Sequence, residues 1–132
     1  MSVVGIGIDL IELGRIEAAM ARHGERFVQR ILGPTELTRF AARHARSVRR
    51  GVAFVATRFA AKEAISKALG LGMASPMSWR AVEVVNAPSG APMVLAHGAL
   101  RAHLDERGLR LHISLTDERE IAMAYAMAEE IR

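Results

Sequence analysis

The sequence predicts an α+β fold, in which a largely antiparallel sheet packs against one long central helix. Three observations support this class: a strand-like run at Val3–Ile8, a helical pattern over Val52–Leu69, and an alternation of apolar and polar side chains from residue 109 to 116. The strands therefore flank a helical middle instead of alternating with helices. We expect a single domain over residues 1–132, because a chain of this length with 51% hydrophobic residues can form one adequate core.

The helical middle begins directly after the first strand. Apolar residues at helical spacing predict a helix from Glu12 to about Arg22, and Phe27–Leu32 forms a short further segment. Gly33 and Pro34 break the chain, and Pro34 opens the next helix, which runs to about Arg46. The long helix follows, and Gly70 and Gly72 end it. A basic run is expected in the loop between these last two helices and consists of Arg46, Arg49 and Arg50.

The second half of the chain reads mainly as strands. Ala81–Val85 and Met93–Leu95 form a hairpin with a wide loop, and Gly98–Arg107 is a short helix. A turn at Thr116–Arg119 leads into a last strand, for which a terminal helix is the competing interpretation. One face of that strand is all alanine, so we expect it to pack closely on a helix or on a second copy of itself; the alanines are Ala122, Ala124, Ala126 and Ala128.

Charge is concentrated in one part of the chain. The net charge is +4, but Leu13–Lys62 alone holds eleven Lys or Arg and three Glu, a local excess of +8. Such a block suits an anionic partner: nucleic acid, a phosphorylated small molecule or an acidic protein surface. Only six aromatic residues are present, which disfavours single-stranded nucleic acid. We expect no membrane span or leader and, with no cysteine, no disulfide or thiolate metal site, which fits a cytoplasmic protein.

The first strand places an acidic residue in an unusual setting. Gly5, Gly7 and Asp9 share one face of it. Glycine weakens a strand unless something approaches its backbone closely. A carboxylate at the end of such a strand is well placed to hold a hard cation or a polar ligand, so Asp9 is a candidate metal ligand.

The long helix carries a lysine in the middle of its apolar stripe. Lys62 lies between Phe59 and Ile65, so it either extends its ammonium to water or meets an anion. Glu63 lies at the edge of the stripe, where an i,i+4 ion pair with Lys67 is the structural alternative to a functional role.

These segments together resemble the holo-acyl-carrier-protein synthases, the small bacterial branch of the 4′-phosphopantetheinyl transferases. The resemblance covers nearly the whole chain. One departure is that many members have a histidine where this chain has Asp117, so contacts from that turn are expected to differ. The matching segments are Gly5–Asp9 with Glu12 and Arg15–Glu17, Arg30–Leu32 with Glu36, Arg58–Ala64 with Lys67–Gly70, Gly90–Pro92, and Ile113–Arg119.

The resemblance implies transfer of the 4′-phosphopantetheine arm of coenzyme A to a serine of apo acyl carrier protein, with release of 3′,5′-ADP, in support of fatty acid biosynthesis. It implies that Asp9 and Glu63 hold Mg²⁺, that Glu63, or else Asp9, accepts the serine proton, and that Lys62 meets a phosphate as the third catalytic residue. The residues implied to bind coenzyme A are Arg58, Lys62, Lys67, Gly90 and Pro92, together with Arg49 and Arg50, and Arg46, Arg49 or Arg50 is implied to reach its 3′-phosphate.

The resemblance also implies partners. The acidic carrier protein is expected to dock on the first helix and its surroundings, and the chain is expected to form a homotrimer with active sites between subunits. No nucleic-acid or membrane partner is expected; the alternative function is a basic nucleic-acid-binding module without catalysis, and it leaves Asp9 and the glycine face unexplained. The implied docking residues are Arg15, Met20, Arg22 and Arg26.

Overall fold

A computed structural model describes residues 1–131 and shows one long helix lying across a three-stranded sheet. The predicted α+β class, with a largely antiparallel sheet against a long central helix, is confirmed. The elements in chain order are β1 (Ser2–Glu12), α1 (Leu13–His23), α2 (Glu25–Ile31), α3 (Pro34–Arg46), α4 (Val48–Leu69), β2 (Val82–Asn86), β3 (Pro92–Ala96), α5 (Gly98–Arg107), β4 (Leu109–Glu118) and β5 (Ile121–Glu130).

Helix α4 begins four residues earlier than the sequence pattern indicated. Ser47 is its N-cap, and the Ser47 hydroxyl oxygen accepts the backbone N–H of Arg50 at 3.3 Å. Arg49 and Arg50 therefore lie in the first turn of α4, and the expectation that they occupy a loop is wrong. At the other end Gly70 adopts the left-handed conformation (φ 72°) of a helix C-cap, as predicted.

The main sheet is antiparallel with the order β1-β5-β4, so the last strand of the chain is the central one. Residues 121–130 form a strand and not the competing terminal helix. The turn before it lies later than predicted, because β4 continues to Glu118 and Arg119 takes the positive φ of 57°. Strands β2 and β3 form the expected hairpin as a separate two-stranded sheet.

The inner face of the main sheet packs on α4. The alanines of β5 are 0–1% exposed there, so the close partner expected for the alanine face is a helix of the same chain. Gly5 and Gly7 of β1 face the same helix. A Cβ on Gly5 would lie 1.8 Å from the carbonyl oxygen of Ala68, and one on Gly7 would lie 2.0 Å from that of Ala64. The backbone that approaches the glycine face is therefore that of α4.

The outer face of the same sheet is open and apolar. Its side chains come from β1 and β5 and are 37–61% exposed, which is a large apolar patch for one chain. No helix formed by residues 1–131 is long and apolar enough to cross a membrane. The patch consists of Val4, Ile6, Ile8, Leu10, Ile121, Met123 and Tyr125.

Candidate active site

Two carboxylates meet where β1 crosses α4. Asp9 projects from the glycine face of β1, and its side chain is 19% exposed. Glu63 is partly buried on α4. Burial raises the pKa of Glu63, the neighbouring Asp9 carboxylate raises it further, and the Lys67 ammonium lowers it in part. The close packing that the glycines permit therefore brings these two acids near enough to repel each other.

Lys67 bonds to the strand rather than to its helix neighbour. Its ammonium donates to the backbone oxygen of Ile8 at 2.9 Å and to Asp9 Oδ1 at 3.3 Å. The Lys67 ammonium therefore pairs with Asp9 and not with Glu63, its i,i+4 neighbour on the helix. Lys67 remains half exposed, so the same lysine can also reach an anionic group in solution.

The donor set of this site suits Mg²⁺. Among residues 1–131, no group of three or more acidic, histidine or cysteine side chains is placed to hold a metal. Two carboxylates are nevertheless sufficient for Mg²⁺, which keeps several waters and takes phosphate oxygens from a substrate. A divalent cation would also relieve the repulsion that raises the pKa of Glu63. Asp9 and Glu63 are the residues that would hold it.

Lys62 lies elsewhere. Its side chain is 0% exposed, and its ammonium donates to Glu36 Oε1 at 2.6 Å, to the backbone oxygen of Ile31 at 2.6 Å and to that of Trp79 at 2.8 Å. Burial lowers the pKa of Lys62, and the ion pair with Glu36 opposes that shift. The interpretation that Lys62 extends to water is wrong, and a role for Lys62 at a phosphate or in catalysis is not supported, because all three ammonium protons have acceptors inside the chain.

A basic cleft of about 560 Å³ opens beside the first half of α4. It brings together Arg49, Arg50 and Arg58, the three arginines implied to bind coenzyme A. Asp117, the residue at which the sequence departs from the pattern of the family it resembles, also lines the cleft. The other lining residues are Leu13, Arg43, Ser47, Ala53, Phe54, Thr57, Leu115 and Arg119.

Arg58 is the most buried arginine of this cleft, with 6% exposure. Its guanidinium lies 4.1 Å from the centroid of the Phe54 ring, and Arg43 lies 4.8 Å from the same centroid. Burial lowers the pKa of Arg58 to about 10, against the opposing effect of the Glu36 carboxylate, so Arg58 remains charged at neutral pH. The Nε atom of Arg58 and one terminal nitrogen of Arg43 are buried without a hydrogen-bond partner among the described residues. The positive charge of Arg58, with Arg49 and Arg50 on the cleft wall, makes the cleft suited to an anion.

Arg43, Arg119 and Phe54 were missed as cleft residues by the sequence reasoning. Arg39 and Arg43 are four residues apart on α3, so their side chains share one helix face. This spacing is the sequence signal that could have identified Arg43. No local pattern predicts Arg119, because the turn between β4 and β5 brings it to the cleft only after the sheet has formed.

The loop and docking residues lie away from the cleft. Gly90 is exposed in the β2–β3 loop with φ 91°, Pro92 begins β3, and neither lines the cleft that the described residues form. The α1 and α2 candidates for docking are on the surface. Arg15, Arg22 and Arg26 are exposed, whereas Met20 is partly buried against the core.

The cleft and the carboxylate pair lie on different sides of α4. Arg58 and Glu63 are five residues apart, which at 3.6 residues per turn separates their directions by roughly 140°. One chain therefore carries two half-sites that face different directions. The basic half-site is the arginine cleft, and the acidic half-site is the Asp9–Glu63 pair.

Comparisons with known proteins agree with the fold. The chain belongs to the 4′-phosphopantetheinyl transferase superfamily, whose family model matches residues 5–126. Within that superfamily it is similar to the holo-[acyl-carrier-protein] synthase of Cupriavidus taiwanensis, with 54% identity over 127 residues that cover 96% of this chain and 91% of the relative.

Solved structures show the same likeness. The crystal structure of holo-[acyl-carrier-protein] synthase from Neisseria meningitidis has a TM-score of 0.89 and 35% identity, covering 96% of this chain and 98% of its own. The synthase from Bacillus anthracis in complex with CoA (3′,5′-ADP) has a TM-score of 0.80 and 34% identity, covering 99% of this chain and 100% of its own.

Proposed function

We propose that this protein transfers the 4′-phosphopantetheine group of coenzyme A to a serine of apo acyl carrier protein, with release of 3′,5′-ADP, in support of fatty acid biosynthesis. The observation that carries the proposal is that α4 borders both a basic cleft suited to phosphates and, with Asp9 of β1, a carboxylate pair suited to a divalent cation. The complex of the Bacillus anthracis relative with CoA (3′,5′-ADP) supports coenzyme A as the substrate here.

The arginine cleft binds the nucleotide part of coenzyme A in this proposal. Arg58 contacts the phosphates, and Arg49 or Arg50 reaches the 3′-phosphate. Gly90 and Pro92 of the hairpin loop contact the adenine from a second subunit or after loop movement, since they do not line the cleft. Lys67, half exposed beside Asp9, contacts the pyrophosphate. The arginine side chains neutralise the charge of the leaving 3′,5′-ADP.

Asp9 and Glu63 carry the chemistry at the other half-site. The serine oxygen of the carrier protein forms a bond to the β-phosphorus, the bond from that phosphorus to the bridging oxygen breaks, and the serine hydroxyl proton is removed. Glu63, directly or through a water, is the first candidate for the proton acceptor, and Asp9 is the second. A bound Mg²⁺ would neutralise charge on the pyrophosphate oxygens.

The carrier protein docks on α1 in the same proposal. Carrier proteins of this class are acidic, and the exposed Arg15, Arg22 and Arg26 offer the complementary charge, while Met20 adds an apolar contact. The alternative of a basic nucleic-acid-binding module leaves the Asp9–Glu63 pair without a role. The cytoplasmic location stays a prediction.

A homotrimer with active sites between subunits completes the proposal. The basic and acidic half-sites of one chain face different directions. A complete active site therefore needs the basic half-site of one subunit and the acidic half-site of its neighbour. The open apolar face of the β1-β5-β4 sheet provides a surface for that contact. The alanine face, by contrast, is already covered by α4.

Mass spectrometry of apo acyl carrier protein, incubated with coenzyme A, Mg²⁺ and this enzyme, tests the proposal. We expect a mass increase equal to 4′-phosphopantetheine. Asp9→Asn and Glu63→Gln are each expected to reduce the rate by at least about a hundredfold and to weaken its dependence on the cation. Glu106→Gln, an exposed change on α5, serves as the control and should not alter the rate. Near-normal turnover in both site variants would contradict the assignment.

A further inference from the structure

Glu36 is a buried carboxylate that joins three elements. It is 0% exposed at the first turn of α3. Its Oε1 accepts the backbone N–H of Gly33 at 3.0 Å and the Lys62 ammonium at 2.6 Å, and its Oε2 accepts the backbone N–H of Val84 at 2.8 Å. Glu36 thus links the start of α3 to α4 through one oxygen and to β2 through the other.

Val84 is also held from its carbonyl side. The Arg58 guanidinium donates to the backbone oxygen of Val84 at 3.4 Å and to the Thr57 hydroxyl at 3.2 Å, and it lies on the Phe54 ring. The hydrogen bond to Thr57 stays within α4, whereas the hydrogen bond to Val84 joins α4 to β2. The position of the Arg58 guanidinium therefore depends on where the β2 backbone lies.

We propose that Glu36 is a positioning residue for Arg58. By fixing the backbone of Val84, Glu36 sets the direction in which the Arg58 guanidinium faces the basic cleft, and the Lys62 ammonium holds the other oxygen of the same carboxylate. The inference rests on the proposed function, in which Arg58 binds the phosphates of coenzyme A. Glu36 also acts directly, because its negative charge stabilises the charged form of the buried Arg58.

The two oxygens of Glu36 give two separable effects. Loss of the Lys62 ammonium leaves the bond from Val84 to Oε2 in place, so the cost falls on stability. Loss of the Glu36 carboxylate removes the acceptor of the Val84 N–H. The Val84 backbone is then no longer fixed, and the Arg58 guanidinium that donates to it is no longer held in one direction. A purely structural ion pair predicts instead that both losses reduce stability and that neither changes affinity for coenzyme A.

The experiment compares Lys62→Met with the double variant Glu36→Met/Lys62→Met, which removes both charges from the core together with the acceptor of the Val84 N–H. We expect Lys62→Met to lower the Tm and to keep the KM for coenzyme A within about twofold of the wild type. The double variant is expected to recover part of the Tm and to raise the KM for coenzyme A about tenfold, with an unchanged KM for the carrier protein. Arg101→Met, which removes an exposed ion pair on α5, is the matched control.

Binding of 3′,5′-ADP, measured by calorimetry, separates this inference from the proposed function. Weaker binding of 3′,5′-ADP in the double variant than in Lys62→Met supports the positioning role, whether or not the wild type is active. If the wild type transfers nothing, the proposed function fails and the positioning role does not. Unchanged nucleotide binding and KM in a folded double variant overturn the positioning role. If the double variant does not fold, Glu36→Asp decides: it keeps the charge but shortens the reach to Val84, so unaltered affinity there also overturns the role.

Discussion

Glycine is required at residues 5 and 7 because the backbone of α4 occupies the space of a side chain. A Cβ on Gly7 would meet the Ala64 carbonyl oxygen at 2.0 Å and the Ala68 nitrogen at 2.9 Å, and neither atom can turn away as a side chain would. This close packing also determines how near Asp9 comes to α4. The glycines therefore serve the site through the fold rather than through direct contact with a ligand.

Gly7→Ala is expected to destabilise the protein by about 3 kcal/mol, because strand and helix must separate to admit the methyl group. Urea unfolding measures the effect. Gly14→Ala on α1 is the control; no atom lies within 4 Å of its Cβ, so it should be neutral or stabilising by up to about 1 kcal/mol. A loss at Gly7 no larger than the change at Gly14 would contradict the packing argument.

The roles of single residues could be predicted only where a local pattern sets them. Asp9 was a candidate because a carboxylate on a glycine-bearing strand is locally unusual, whereas Glu63 was paired with it only through the family resemblance; the structure places the two near each other. The environment of Lys62 could not be predicted in the same way. Its partner Glu36 lies 26 residues away on another helix, and helix periodicity shows that a lysine is buried but not which group neutralises it.

At the scale of elements, the start of α3 is tied to β2 and to the residue before α5 by Glu83. This carboxylate is 1% exposed; its Oε2 accepts the Glu36 backbone N–H at 2.9 Å, and its Oε1 pairs with His97 Nε2 at 2.9 Å. Burial alone would raise the pKa of Glu83, but the hydrogen bonds from the Glu36 backbone and from His97 outweigh burial and lower it.

The lowered pKa of Glu83 predicts a pH-dependent stability. The folded state holds this proton less tightly than the unfolded state, whose pKa is near the ordinary value of 4.5, so the stabilisation is present above pH 4.5 and is lost as the pH falls through the folded pKa. Glu83→Gln should cost about 2 kcal/mol at pH 7. That cost should shrink below pH 4.5.

Urea unfolding of the wild type and Glu83→Gln at pH 7, 5, 4 and 3 checks this expectation. Glu106→Gln, which removes an exposed carboxylate of α5, is the control and should follow the wild type throughout. A cost for Glu83→Gln that does not change across this range would show that the carboxylate charge contributes nothing at that position.

Helix α1 presents its basic residues on one exposed side. Arg15 and Arg22 are seven residues apart, which places them on the same face, and both are exposed. Arg15→Glu/Arg22→Glu should raise the KM for acyl carrier protein about tenfold at low salt, with less effect at high salt, because exposed charges mainly steer an acidic partner. The KM for coenzyme A should change little.

Steady-state kinetics with each substrate varied in turn at two salt concentrations test the role of α1. Arg101→Glu on α5 reverses an equally exposed charge and should leave both KM values unchanged. Equal increases in the KM for both substrates would place the two arginines at the coenzyme A cleft instead of at a docking face.

Most of the elements were predictable because each has a local signal. The proline at the first position of α3, the glycine after α4 and the alternation in β4 and β5 all act within a few residues. The start of α4 was not predictable from its apolar pattern. Its first turn is basic and exposed, so only the Ser47 cap indicates that Arg49 and Arg50 are helical.

At the scale of the molecule, the sheet has one face that the chain covers and one that it does not. The inner face carries glycines and alanines because α4 lies directly on it, whereas the outer face carries large apolar side chains that remain 37–61% exposed. Burying such a patch against another subunit is favourable at roughly 25 cal/mol per Å² before the cost of association. This surface and the divided site lead to the same proposal, a trimer in which neighbouring subunits complete each active site.

Ile6→Glu is expected to convert the assembled protein to a monomer that has lost most of its transferase activity. Ile6 is 61% exposed at the middle of β1, so a charge there costs the folded chain little but would be desolvated without a partner in a sheet-to-sheet contact. Activity should fall with assembly because one chain directs its basic and acidic half-sites to different sides of α4. Analytical ultracentrifugation gives the mass in solution, and the Tm at low concentration shows whether the monomer is folded.

Val48→Glu introduces the same charge at a 62% exposed apolar residue on the first turn of α4, and it should leave the trimer intact. If the Ile6→Glu monomer retains full activity, the site is complete within one chain; if this variant stays trimeric, the outer sheet face is not the contact.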